Sequence, residues 1–332
     1  MKKKSNEENL TIGEINTSDD FHASLAELKE EDIPIMTEKK MKKNRKKMIS
    51  NIIQLSFLAV CAVALVVCAV LLIKNLHDKK RGESVYDGAA SVFVPVTIGD
   101  SAGNEDKGAS PVQNMYDRIS ALYEGGGLEE QDTAIDLDLA PMKASLSSLR
   151  QTNSDVIGWI YVEDSKINYP LMQSSNGNDE YYLTHAYNGE YLAVGSIYLT
   201  SSCDKKLNNN YNSLIYGHNV VNGSMFHDVL KFLDPEFFES KYVYIYTLDG
   251  AYIYKPFAIY ETRSDYNYIQ TYFASEREFF DFAERVAANS EVPCSVEFAP
   301  GDTIITLSTC TNGGVGGPGR YAFHAKLVAF VN

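Results

Sequence analysis

The residues best suited to chemistry are a cysteine, a histidine and an arginine in the carboxyl-terminal half of the chain. Cys310 ends the run Thr-Leu-Ser-Thr-Cys over residues 306–310, and a glycine-rich loop separates it from Arg320. His218 follows a short apolar run and a glycine. A thiolate attacks carbonyl carbons, and an imidazole takes up the thiol proton and returns it to a leaving amine. A guanidinium opposes the charge of a tetrahedral intermediate and keeps its own charge. These residue types are suited to acyl transfer by a cysteine nucleophile, although a lone cysteine at a strand end is more often structural and a lone histidine is similar.

Three other histidines compete with His218 for the role of acid and base. His185 is one of them, and His227 lies in an apolar segment where it is expected on a helix face. His324 alternates within the last predicted strand and is expected to be a packed strand residue. Composition alone leaves the choice among these histidines open.

Short strands must position these side chains. From about Asn153 onward, runs of β-branched and aromatic residues are bounded by Asn, Gly, Asp or Pro, which predicts a mainly β domain, either a closed barrel or a sandwich. Cys310 and His218 then stand just where strands end. The predicted strands cover residues 158–162, 167–171, 195–200, 213–216, 242–247, 252–259, 295–298, 303–308 and 321–330.

Helices are predicted before the strands and once among them. Residues 112–124 and 142–151 form two amphipathic patterns separated by a Gly-Gly-Gly break and an acidic loop. Ser275 followed by Glu278 is a capping box, and the apolar face that follows predicts a helix over 275–288.

An apolar segment predicts a membrane anchor. Residues 48–73 carry no charge, and about 20 such residues span a bilayer core. Seven basic residues precede this segment and four follow it, which predicts a cytoplasmic N-terminus and an uncleaved signal anchor. The predicted organisation is a disordered cytoplasmic tail over 1–47, the anchor over 48–73, a stalk over 74–111 and an extracellular catalytic domain over 112–332.

Charge and cysteine usage exclude several classes of protein. The net charge of −14 disfavours nucleic acid as a partner. The five cysteines show no paired spacing, so neither a zinc site nor a disulfide framework is expected. A bridge between Cys203 and Cys294 stays open, although free thiols are favoured. The glycine-rich loop lacks the Lys-Ser/Thr ending of a phosphate-binding loop, and no metal-ligand cluster is visible, so no cofactor is expected.

The order of the motifs resembles sortases, and residues from about 153 to 331 resemble the class B branch. Tyr-Gly-His over 216–218, Thr-Leu-Ser-Thr-Cys over 306–310, and Arg320 ten residues later carry this resemblance. Supporting segments are Asp-Val-Ile-Gly-Trp-Ile over 155–160, Ile-Asn-Tyr-Pro-Leu over 167–171, Tyr-Tyr-Leu over 181–183 and Ser-Met-Phe over 224–226.

The resemblance implies a closed eight-stranded β-barrel with N-terminal helices and a helix in the loop before the cysteine strand. It implies that Cys310, His218 and Arg320 are catalytic in a transpeptidase. Such an enzyme cleaves the C-terminal sorting signal of a secreted protein after Thr and passes the thioacyl group to an amine. The amine comes from a cell-wall precursor or from another protein, such as a pilin. A signal of the Asn-Pro-x-Thr kind is expected rather than Leu-Pro-x-Thr.

The resemblance also implies residues that contact the sorting signal. They are Tyr216, Ser308, Leu183, Tyr268 and Ile269. Members of this branch often carry Asn four residues before the leucine, where this chain has an aspartate, so no polar contact is carried over to that position.

Two alternative functions stay open at this point. A cysteine peptidase that hydrolyses the same intermediate would use the same residues, although papain-type peptidases place Cys before His and at a helix start. A non-catalytic, membrane-anchored binding module would not require these three residues together.

Overall fold

The computed structural model describes residues 38–94, 97–98, 137–311 and 318–332. Helix α1 (Glu38–Val92) is 55 residues long and contains an 18-residue window with a mean hydropathy of 3.0 and no buried residue. This helix is long and apolar enough to cross a membrane. Residues 1–37 of the predicted tail and the predicted helix over 112–124 lie outside the described residues.

The carboxyl-terminal part of α1 differs from the predicted stalk. Residues 82–92 are helical, and Gly82, Tyr86 and Ala89 are buried against the domain that follows. The Tyr86 hydroxyl lies 3.0 Å from the Ser196 hydroxyl, and its ring packs edge-on against Tyr169 at 5.3 Å. Residues 82–92 of the predicted stalk are therefore a packed helix in the structure. Gly82 and Ala89, two of the small residues that suggested a stalk, lie with Tyr86 on the packed face of this helix.

The described strands form two sheets. A two-stranded sheet is formed by β1 (Thr97–Ile98) and β2 (Leu137–Asp138). The strands of the other sheet are β3 (Val156–Val162), β4 (Asn168–Met172), β5 (Ile197–Leu199), β6 (Asn212–Tyr216), β7 (Val243–Thr247), β8 (Ala251–Arg263), β9 (Ile304–Cys310) and β10 (Gly319–Val331). These eight strands close into a barrel in the order β10-β8-β7-β3-β4-β5-β6-β9. Most neighbours are antiparallel, but β4–β5 and β6–β9 are parallel.

Alternating side chains divide the strands into an inner and an outer face. On β9, Ile305 and Leu307 join the barrel's interior core together with Phe323 of β10. The residues of β9 that alternate with Ile305 and Leu307 point outward, and one of them, Ile304, packs in a separate outer cluster. The even-numbered residues of β9, which end with Cys310, therefore belong to the outer wall of the barrel.

Helices cover this outer wall. Helix α2 (Ala140–Thr152) confirms the prediction over 142–151 and packs outside β3 and β7. Helix α3 (Pro235–Ser240) is a short turn capped by Asp234. Helix α4 (Glu276–Ala288) confirms the predicted helix in the loop before β9, and the Ser275 hydroxyl accepts a hydrogen bond from the Glu278 amide at 3.2 Å.

The predicted strand over 295–298 is wrong. These residues form no ladder, because the barrel is closed and each of its strands already has two neighbours. Phe298 instead packs its ring against Phe257 and Phe279 on the outer wall. Apolar residues at this position thus reflect packing rather than strand pairing.

Candidate active site

Cys310 is the last residue of β9, and it lies directly opposite Arg320 in the ladder between β9 and β10. The Thr311 amide donates to the Gly319 carbonyl at 3.3 Å, so Cys310 and Arg320 form a non-hydrogen-bonded pair. In such a pair the two side chains leave the same face of the sheet, and the α-carbons are about 4.5 Å apart. The expected placement of thiol and guanidinium at facing strand ends is confirmed.

The Thr311 amide directly follows Cys310 in the chain. Backbone amides in such a position often stabilise an oxyanion, but this one donates its hydrogen to the Gly319 carbonyl in the ladder. Arg320 places one guanidinium nitrogen 2.8 Å from the Gly319 carbonyl. This contact keeps the cation at the same strand end as the half-buried thiol.

His218 leaves the sheet at the same edge as Cys310. Strands β6 and β9 are parallel, Tyr216 pairs with Ser308, and the Gly217 amide donates to the Ser308 carbonyl at 3.2 Å. His218 and Cys310 each lie two residues beyond this last pair. Gly217 is required here because a β-carbon would meet the Phe226 ring at 2.6 Å.

The imidazole of His218 has one nitrogen fixed by the backbone. Its Nε2 lies 2.8 Å from the Leu183 carbonyl oxygen. A carbonyl oxygen only accepts, so Nε2 carries a proton. In the neutral ring Nδ1 then bears the lone pair, and Nδ1 is the nitrogen available as a base. This contact gives Leu183 a structural role that the sequence did not reveal.

Two buried hydroxyl groups join the walls beside the thiol. The Tyr268 hydroxyl lies 2.8 Å from the Ser308 hydroxyl, and both residues are about 2% exposed. Burial raises the pKa of Tyr268, and burial raises the pKa of neighbouring Tyr216 to about 12. Both phenols are therefore neutral near pH 7 and act as hydrogen-bonding groups without charge.

Leu183 and Ile269 remain accessible beside these walls, each with 37% exposure. The structure thus joins Ser308 to Tyr216 and Tyr268, and Leu183 to His218, by direct contacts. Ile269 adjoins Tyr268 in the chain. The residues predicted to contact a ligand lie in the segments that border Cys310 and His218.

The rival histidines have other partners. His185 stacks on Tyr181 with ring centres 3.9 Å apart. His324 is fully buried in β10, as expected for a packed strand residue, and its Nδ1 lies 2.9 Å from the Thr306 hydroxyl. His227 lies in a 3₁₀ helix (Phe226–Leu233) and contacts Asn219.

Asp179 and Asn219 have roles that motif comparison did not predict. The Asp179 carboxylate accepts hydrogen bonds from the Thr200 hydroxyl at 2.6 Å and from the Ser201 amide at 2.9 Å, so it stabilises a turn. The Asn219 side chain reaches the backbone of Cys310. The signal for Asn219 was its position directly after His218.

Cys203 is buried, Cys294 is exposed, and both are free thiols, as favoured from the sequence. Among the described residues, no group of three or more His, Cys, Asp or Glu side chains is arranged to hold a metal ion. Because Cys294 is exposed and lies outside the site, it is a useful chemical control for Cys310.

Comparison with known proteins agrees with this geometry. A family model described as the sortase domain matches residues 160–328, about half of the chain. The chain belongs to the sortase family. It is 34% identical over 220 residues to sortase B of Listeria monocytogenes, covering 65% of this chain and 85% of the relative.

Solved structures place this sortase in class B. Sortase B from Bacillus anthracis in complex with AAEK1 matches with a TM-score of 0.56 and 30% identity, covering 76% of this chain and 99% of that one. A sortase B–substrate complex from Staphylococcus aureus matches with a TM-score of 0.52 and 25% identity, covering 65% and 94%. The predicted class B family and closed eight-stranded barrel are confirmed.

Proposed function

We propose that this sortase transpeptidase cleaves a C-terminal sorting signal after threonine and transfers the acyl group, through a thioester on Cys310, to an amine. The observation that carries the proposal is the Cys310–Arg320 pair, with His218 leaving the sheet at the same edge. A nucleophile, a base and a permanent cation are thereby fixed by one set of ladder hydrogen bonds.

In the first half-reaction, His218 takes the thiol proton and the Cys310 sulfur attacks the threonine carbonyl carbon. The carbonyl electrons move to oxygen, and Arg320 opposes the resulting charge. The C–N bond then breaks, the leaving amine takes its proton from His218, and a thioester remains on Cys310. The Leu183 carbonyl holds Nε2 as a donor, so Nδ1 is the proton carrier.

In the second half-reaction, an acceptor amine attacks the thioester carbonyl. The amine loses a proton to His218, the C–S bond breaks, and the Cys310 sulfur regains its proton. A new amide forms without external energy, because one amide bond is exchanged for another. If water attacks in place of the amine, the thioester is hydrolysed, which is the reaction of the alternative cysteine peptidase.

The sorting signal is proposed to bind against Tyr216, Ser308, Leu183, Tyr268 and Ile269. Leu183 and Ile269 offer exposed apolar surface, while Tyr268 and Ser308 offer paired hydroxyl groups beneath it. Class B membership favours an Asn-Pro-x-Thr signal over Leu-Pro-x-Thr. The proposed partners are secreted proteins with such signals and an amine from a peptidoglycan precursor or a pilin.

The proposed setting is the outer surface of a cell membrane, with residues 48–73 as the anchor. The larger basic cluster before this segment supports a cytoplasmic N-terminus and an extracellular barrel. Secreted proteins held by their own C-terminal anchors would then meet the active site on the same side of the membrane.

The test uses the full-length sortase in detergent micelles with Asn-Pro-x-Thr and Leu-Pro-x-Thr peptides, with and without a triglycine acceptor. Chromatography with mass detection separates ligated from hydrolysed product. We expect ligated product from the Asn-Pro-x-Thr peptide, its loss in Cys310→Ala, and its retention in the matched control Cys294→Ala. Hydrolysis that ignores added amine supports a peptidase, and equal or better cleavage of Leu-Pro-x-Thr overturns the choice of signal. No product from any peptide supports a binding module.

A further inference from the structure

Asn219 lies directly after His218, and its side chain is buried at 7% exposure. Its Nδ2 donates to the Cys310 carbonyl at 2.8 Å, and the Thr311 carbonyl lies 3.5 Å from the same nitrogen. The segment that carries the proposed base is therefore joined to the backbone of the proposed nucleophile by one side chain.

The orientation of the Asn219 amide follows from its partners. Carbonyl oxygens only accept, so the NH₂ group faces Cys310 and Oδ1 faces the other way. Oδ1 lies 2.7 Å from Nδ1 of His227. This oxygen is an acceptor, so His227 carries its proton on Nδ1. His227 thus fixes the amide in the orientation that reaches Cys310.

The backbone around Asn219 is also closed on itself. Asn219 pairs with Met225 in an isolated antiparallel bridge, and the Phe226 amide donates to the His218 carbonyl at 2.9 Å. The Met225 amide donates to the Tyr169 hydroxyl at 3.0 Å. These bonds hold the loop over residues 218–226 together. The side-chain hydrogen bond from this loop to the Cys310 carbonyl is made by Asn219.

We propose that Asn219 is a positioning residue that sets the separation of the His218 imidazole and the Cys310 thiol, with His227 holding its amide in place. This inference rests on the proposed function, because that function makes Cys310 the nucleophile and His218 the base. Proton transfer is sensitive to distance, and a displacement of about 1 Å in an active site costs on the order of 100-fold in rate.

The experiment compares wild type with Asn219→Ala, His227→Ala and His227→Asn in the full-length sortase. The asparagine side chain places an N–H donor where the imidazole has Nδ1, whereas alanine removes it. We expect kcat to fall about 10- to 100-fold in Asn219→Ala, with KM within about twofold. The thermal unfolding midpoint should fall by only a few degrees, as expected for the loss of buried hydrogen bonds in a domain that still folds. The fall in kcat is expected to be smaller in His227→Ala than in Asn219→Ala, and His227→Asn is expected to recover most of it. Val221→Ala is the matched control, because Val221 lies on the same loop and is 72% exposed.

A second readout needs no peptide. Alkylation of Cys310 by iodoacetamide, followed across pH by peptide mapping, reports the thiolate fraction, which a nearby imidazole influences. The proposal predicts that Asn219→Ala and His227→Ala shift this profile and that Val221→Ala does not. Wild-type kcat together with a wild-type alkylation profile in Asn219→Ala overturns it. If Asn219→Ala does not fold, the two His227 variants decide. Recovery of kcat in His227→Asn relative to His227→Ala supports the proposal, and identical behaviour of both variants and wild type overturns it. If wild type turns over no peptide, the proposed function fails, while the alkylation profile still tests Asn219.

Discussion

Cys310 and Arg320 oppose each other as a non-hydrogen-bonded pair at the open end of β9 and β10. Their relative position is set by the register of the ladder, which runs unbroken from Lys326 opposite Ile304 to this pair. The ladder therefore places Arg320 opposite Cys310 before any substrate binds, as the proposed electrostatic stabilisation of a transition state requires.

Arg320→Gln is expected to lower kcat by about 100- to 1000-fold, because a charged donor to the oxyanion is lost. Steady-state kinetics on the full-length sortase measure the effect. Arg277→Gln is the matched control, because Arg277 is an exposed residue of α4 whose side chain pairs with Asp281. A rise in KM with unchanged kcat would show that Arg320 binds the ground state instead.

Tyr268→Phe removes the hydroxyl that pairs with Ser308 in a buried wall of the proposed groove. One lost buried hydrogen bond costs about 1 kcal/mol of folding stability. Because the wall that it holds is proposed to contact the sorting signal, we also expect a several-fold rise in KM, with kcat nearly unchanged, in steady-state kinetics. Tyr272→Phe, in the same loop and 80% exposed, is the control. Equal effects of the two substitutions would argue against a role for the Tyr268 hydroxyl.

Tyr86→Ala is expected to destabilise the domain by about 3 kcal/mol, because it removes a buried aromatic ring from the packed end of α1. Tyr86→Phe keeps the ring and loses only the hydroxyl contacts at Gly195 and Ser196, so about 1 kcal/mol is expected. Urea unfolding of both variants measures the difference. Wild-type stability in Tyr86→Ala would mean that residues 82–92 are only a spacer.

The buried imidazole of His324 is expected to make the free energy of unfolding depend on pH. Burial lowers its pKa from 6.5 to about 3. Between those values the unfolded chain binds a proton that the folded chain does not, so stability falls as pH falls, by about 1.4 kcal/mol per pH unit. Above pH 6.5 this contribution is constant. Urea unfolding at pH 7, 6, 5 and 4 should show a steeper decline for wild type than for His324→Gln, although the variant is less stable at pH 7. Equal slopes would contradict the assignment.

Much of the active site was predictable because its residues lie within short motifs at strand ends. The apolar runs before His218 and Cys310 predict strands, and the family resemblance supplies their pairing, which brings both residues to one edge. Arg320 opens the strand after the glycine-rich loop, so hairpin geometry places it opposite Cys310.

Contacts between distant segments were not predictable from local pattern. The Leu183 carbonyl meets His218 across 35 residues, and Asn219 reaches Cys310 across 91. Composition around Gly82 suggested a linker, although Gly82, Tyr86 and Ala89 repeat at helical spacing and form one packed face. Residues 295–298 have strand-like composition, but a closed barrel offers them no free edge.

The most direct test of the account is to locate the acyl group. The full-length sortase is mixed with an Asn-Pro-x-Thr peptide without an acceptor amine, quenched in acid, digested and sequenced by tandem mass spectrometry. We expect the threonine-ended acyl group on Cys310 and none on exposed Cys294, and we expect the adduct to disappear when triglycine is added before the quench. An acyl group on another residue, or turnover that persists in Cys310→Ala, would contradict it.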